Sequence, residues 1–62
     1  IEQRGSKLYF GGENFEVVIY SAATQKVAST SENVFDLAAL PAGVYVVRYI
    51  GDNGSAVQKV VR

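Results

Sequence analysis

DLAALPAGVYVVRYI, residues 36–50, is the stretch on which the reading of this chain turns. Asp36 stands where its carboxylate can accept from backbone N–H groups two or three residues on, which caps a single helical turn. Leu37 and Leu40, at i and i+3, fall on one side of that turn and can bury together. Pro41 ends it, because proline lacks an N–H donor and disfavours helical geometry at Leu40. Pro41-Ala42-Gly43 then reads as a turn, with the glycine where φ becomes positive. Over residues 44–50 the pattern changes to a strand. Tyr45, Val47 and Tyr49 share one face; Val44, Val46, Arg48 and Ile50 share the other. Arg48 marks the second face as at least partly wet, yet apolar residues on both faces predict a central strand. This is a corner feeding a strand, and it specifies fold rather than chemistry.

Downstream, Asn53-Gly54 is the strongest short hairpin signal in the chain and favours a type I′ turn. Residues 56–61 should return as the antiparallel partner of 44–50. Upstream, residues 15–21 alternate cleanly, with Phe15, Val17 and Ile19 on a core face and Glu16, Val18 and Tyr20 opposite. Residues 22–25 read as a connector, 26–29 as a short strand, 30–33 as a polar loop and 34–35 as a strand remnant. Lys7-Leu8-Tyr9-Phe10 is β-prone and stops at Gly11-Gly12, so 11–14 is expected to be a hairpin loop. Gly5-Ser6 breaks any earlier strand, and residues 1–7 carry little signal. Short strands with turns every eight to twelve residues, and no helix of normal length, read as a small antiparallel sandwich or barrel. The sandwich is preferred.

Composition narrows the function. At 62 residues the chain is one domain at most, and a chain of that length buries only ~60% of the surface it exposes unfolded. Apolar residues make up 48%, enough for one thin core. Six basic and six acidic residues cancel and are scattered, which leaves neither a nucleic-acid footprint nor a polybasic membrane patch. Apolar runs such as 37–40 fall far short of the ~20 residues of a membrane-spanning helix. The chain opens at Ile1 without a signal-like segment, so we expect a fragment of a longer protein.

Cys and His are both absent, which removes the commonest bases, nucleophiles and zinc ligands. Ser6, Ser21, Ser29, Ser31 and Ser55 have only lysines or carboxylates to activate them, and none sits in a nucleophile elbow. The acidic residues lack the close alternating spacing of a calcium loop. Asp36 is explained as a cap and Asp52 as a turn residue. Gly11, Gly12, Gly51 and Gly54 fall at turns without a phosphate-loop pattern. Asn53-Gly54-Ser55 fits a glycosylation acceptor, but the tight turn needs the same residues. No catalytic residue, cofactor or metal is expected. Tyr45, entering a strand just after a corner, reads either as a tyrosine corner with its hydroxyl returning to backbone near Leu40 or Pro41, or as a core aromatic.

On these residues the chain resembles the C-terminal sorting domain of type IX secretion cargo, the Por system, of type A. The resemblance runs over residues 15–62. Ile19-Tyr20 is followed by Gln25-Lys26-Val27, then by the pattern L-x-x-L-P-x-G-x-Y-x-V filled by Leu37, Leu40, Pro41, Gly43, Tyr45 and Val47. The chain closes on Lys59-Val60-Val61-Arg62, similar to the family's final strand. Two places depart from the pattern: Thr24 stands where the connector usually has glycine, and the usual leading Pro-Asn-Pro is missing, so the first strand is expected to be lost or atypical.

The resemblance implies an all-β, Ig-like antiparallel β-sandwich of about six to seven short strands. It implies that 1–62 is a single C-terminal sorting domain of a longer secreted precursor, and not an enzyme. The outer-membrane translocon and its shuttle proteins would be the partners, with a surface sorting peptidase usually removing the label, although some members of the family keep it. The cargo would pass through the periplasm to the outer membrane and cell surface. Leu37, Leu40, Pro41, Gly43, Tyr45, Val47, Lys59, Val60, Val61 and Arg62 are then the sorting and recognition residues. The first group can act through fold alone, and Lys59 and Arg62 are better candidates for contact. The rival is an Ig-like or fibronectin-like structural or adhesive module. A third reading, carbohydrate binding, needs Tyr9, Tyr20 and Tyr49 on one surface. Unpaired sheet edges also predict strand exchange or edge pairing into a homodimer.

Overall fold

The computed structural model describes residues 1–52 and 54–62. The period-2 alternation around Val17 and Ile19 forms β3 (Phe15–Ser21), and the one after the corner forms β6 (Val44–Gly51). They pair antiparallel at the centre of a four-stranded sheet of order β4-β3-β6-β7, with β4 spanning Lys26–Thr30 and β7 Gly54–Val61. A second sheet of three short strands, in order β1-β2-β5, contains Glu2–Arg4, Lys7–Tyr9 and Val34–Asp36. The two packed sheets make the small antiparallel, Ig-like sandwich expected, with seven strands.

The core lies between the sheets. Leu8 and Phe10 contribute from the β2 side, and Leu37 from the turn after β5. Val17, Ile19, Tyr45, Val47 and Val60 meet them from the larger sheet. Leu8, Val17, Ile19, Leu37 and Val47 are wholly buried, so the core face of β3 and the Tyr45–Val47 face of β6 are those the alternation selects. Phe15 stacks on Tyr49 at 5.1 Å between ring centroids and closes one end of the core. Val18 is also buried although it faces outward, between its cross-strand neighbours Ser29 and Arg48.

Three local expectations are corrected. Gly5-Ser6 does not break an early strand; it turns one, since Arg4 pairs with Lys7 across it and Gly5 takes φ +60°. The first strand is therefore present, as β1. Residues 11–14 are not a hairpin loop either. They carry the chain from the small sheet to the large one, because β2 pairs with β1 and β5 while β3 pairs with β4 and β6. Gly12 and Asn14 do take positive φ there, at +97° and +53°. Paired glycines mark a sharp change of direction, and they do not say which sheet comes next.

At the last hairpin, Gly51 pairs with Gly54, and the returning strand starts two residues earlier than expected. The type I′ assignment and the glycosylation pattern both involve Asn53, which lies outside the described residues.

Candidate functional site

The corner is built as its residue types dictate. Asp36 Oδ1 accepts from the Ala38 N–H at 2.9 Å and from the Ser6 hydroxyl at 2.9 Å. These hydrogen bonds, the backbone one foremost, hold the Asp36 carboxyl below its ordinary value despite slight desolvation. Leu37–Ala39 forms the single 3-10 turn, with the Leu40 N–H donating to the Leu37 carbonyl at 2.9 Å. Leu40 leaves it in extended geometry, as the following proline requires. Leu37 is fully buried, whereas Leu40 is half-buried against the core's edge. Gly43 has φ +156°. The Tyr45 hydroxyl donates to the Pro41 carbonyl, so the tyrosine corner is present.

The chain's last residues join this corner. Val44, Tyr45 and Val46 pair with Val61, Val60 and Lys59. The Arg62 N–H donates to the Gly43 carbonyl at 2.9 Å. The two halves of the motif, on the two arms of the β6–β7 hairpin, are thus one continuous piece of sheet. Their side chains divide by face. Leu37, Tyr45, Val47 and Val60 belong to the core, while Pro41, Lys59, Val61 and Arg62 are exposed.

Gln3 is a residue the sequence reading passes over. Its amide donates to the Val61 carbonyl at 2.8 Å and ties the small sheet to the final strand. Nothing local to residues 1–7 announces a partner 58 positions away.

Thr24, the departure from glycine, sits at φ +63°. The turn around it is intact: the Thr24 N–H donates to Ser21 O at 2.9 Å, and the Ser21 N–H to Gln25 O at 2.8 Å. A β-branched residue holds a conformation that glycine adopts freely.

Among the described residues nothing else assembles into chemistry. Ser6 pairs with a carboxylate, but that carboxylate is occupied as a helix cap. Among the described residues no group of His, Cys, Asp and Glu could hold a metal ion. An open hollow beside Tyr49 brings Glu13, Asp52 and Ser55 to its rim, and among the described residues no hydrogen bond joins the Ser55 hydroxyl to either carboxylate. The three tyrosines needed for a sugar platform are apart. Tyr49 faces the core against Phe15, whereas Tyr9 and Tyr20 lie on the outer faces of different sheets. Among the described residues no helix is long and apolar enough to cross a membrane.

Fold and surface together define a small all-β domain whose distinctive residues are structural corners and exposed strand side chains. The secretion system C-terminal sorting domain family matches residues 5–62, and the chain belongs to that family. It is a family of sorting signals for type IX secretion, not an enzymatic one, and its members engage that machinery on the way to the cell surface and outer membrane. No curated protein and no solved structure matches the chain.

Proposed function

We propose that residues 1–62 form the C-terminal address label of a longer secreted precursor, read by the outer-membrane translocon of type IX secretion and its shuttle proteins. The cargo crosses the inner membrane by its own signal, folds in the periplasm, and is delivered to the outer membrane and cell surface. A surface peptidase is the partner that would separate label from cargo. The observation that carries this reading is the joining of corner and tail: the Arg62 N–H on the Gly43 carbonyl places the motif's two halves on adjacent strands.

In this reading Leu37, Leu40, Gly43, Tyr45, Val47 and Val60 act by building the corner, and Pro41 by shaping its turn. Lys59, Val61 and Arg62 present side chains to the machinery. The outer edge of β7, which Gln3 reaches at the Val61 carbonyl, also supports edge pairing of two copies, which sedimentation at high concentration tests; a monomer there refutes it.

The deciding experiment fuses the chain to a periplasmic reporter in a type IX-competent cell. Surface delivery that is lost on deleting residues 59–62 supports the label. A wild-type fusion that stays periplasmic overturns it and favours a structural spacer of the same fold.

A further inference from the structure

Only one face of the four-stranded sheet meets the core, and the pairing register lays out the other in rows. Lys26, Tyr20, Val46 and Lys59 lie side by side across β4, β3, β6 and β7. The neighbouring row runs Ser29, Val18, Arg48 and Val57. Val61, paired with Val44, extends the apolar surface at one end. Val57 is 66% exposed and Val61 59%, more than any other large hydrophobic residue among those described.

Charge is divided unevenly over the molecule. The chain as a whole balances six basic against six acidic residues. The outer face carries Lys26, Arg48 and Lys59 against Glu16 alone. The single ion pair among the described residues, Arg4 with Glu2, belongs to the other sheet. The three cations of this face therefore have no carboxylate within ion-pair distance. A neutral domain has set aside one face that is both cationic and apolar.

We propose that this outer face docks onto a protein of the secretion machinery that presents carboxylates around an apolar strip. The inference rests on the reading that the machinery recognises this domain. It deepens that reading by extending the contact from Lys59 to Lys26 and Arg48. Two features select a protein over an anionic lipid surface. Arg48 stands inside the apolar field between Val18 and Val57, and Lys26 and Lys59 flank it on the two edge strands with Tyr20 and Val46 between them, where interdigitating side chains can pair each one. Lipid insertion instead calls for Trp, Phe or Leu on an apolar face kept separate from the charges, and this face has none of those residues. Tyr and Arg near the centre of a patch are the residue types that dominate protein–protein contacts. Complementary charge around them raises the rate of encounter and fixes orientation.

The test uses the reporter fusion with Lys26→Glu and Arg48→Glu combined, and Arg4→Glu on the opposite sheet as the control. Surface delivery of the double variant should fall about tenfold, the lower end of what electrostatic steering supplies. The Arg4→Glu fusion should be delivered like wild type. Melting of the purified fusions shows whether the domain is intact. If the double variant has lost its transition, Arg48→Gln is read in its place with the same two outcomes. Wild-type delivery with an unaffected variant overturns the surface while leaving the sorting function standing. A wild-type fusion that is not delivered overturns both. Vesicles of phosphatidylglycerol decide the occupant: cosedimentation of wild type that the double variant loses would assign the face to a membrane and overturn the protein partner.

Discussion

The hydroxyl of Tyr45 donates to the carbonyl of Pro41, four residues back along the chain. The bond closes the proline–glycine turn on the strand that leaves it, and it anchors a side chain that is only 6% exposed. Tyr45→Phe keeps the ring in the core and removes this bond alone. The expected cost is about 0.5–1.5 kcal/mol, and each kcal/mol moves the melting midpoint of a domain this small by about 4–8 °C. Thermal melts check it, and an unchanged midpoint would show that the bond contributes nothing.

Thr24 offers the opposite experiment. Left-handed backbone costs an L-residue about 1–2 kcal/mol, and Thr24 holds φ +63° in an exposed turn. Thr24→Gly removes that strain but gives the unfolded chain more freedom, which returns about 0.4–1 kcal/mol. The net expectation is a gain of up to about 1.6 kcal/mol. Thr24→Pro should be strongly destabilising, because proline cannot reach positive φ and loses the N–H bonded to Ser21. Denaturant midpoints that rank glycine below threonine would contradict the strain.

How much of this was legible in the sequence depends on the range of the contact that decides each feature. The Asp36 cap, the stop at Pro41 and the core faces of β3 and β6 follow from neighbours within a few residues, and all can be read directly. Strand partnership is different. Gly11-Gly12 looks the same whether the chain folds back on β2 or crosses to the other sheet. β1 is secured by pairing with β2 and by the Gln3 tether to Val61, contacts that no local pattern announces. Alternation also fails to say which faces are covered. Ala56 and Gln58 share the core-side face of β7 with Val60, yet both are exposed on this edge strand. For the candidate site, the spacing of its residues was readable. The return of the last strand onto 44–50 was readable too; the register that brings the Arg62 N–H to the Gly43 carbonyl was not.

Asp36 gives the fold an acid-sensitive point. Hydrogen bonds from Ala38 and Ser6 stabilise its charged form, so its folded pKa lies below the unfolded one. The unfolded state then takes up the proton first as pH falls, so the stability from this group is present above the ordinary carboxylate range. It is lost as pH falls through that range to the folded value. Asp36→Asn keeps an oxygen that can accept both bonds but removes the charge. The gap in melting midpoint between wild type and variant should therefore be largest near neutrality and shrink below about pH 4. A gap independent of pH would mean that the charge has no part in the corner.

The tail separates fold from recognition one residue at a time. Val60 is 2% exposed and packs in the core, whereas Lys59 beside it points outward next to Val46. Val60→Ala should lower stability by about 1–3 kcal/mol, the scale of burying a valine side chain. That is a large share of the total in a domain near the low end of ~5–15 kcal/mol, and delivery should fall with the folded fraction. Lys59→Ala should shift stability by no more than ~0.5 kcal/mol, as surface changes do. Arg62→Ala should behave alike, since the bond from Arg62 to Gly43 uses the backbone N–H. If these two variants melt like wild type and still lose surface delivery, the exposed side chains are contacts. Delivery that tracks the melting midpoint across all three would instead reduce the tail to a structural strand.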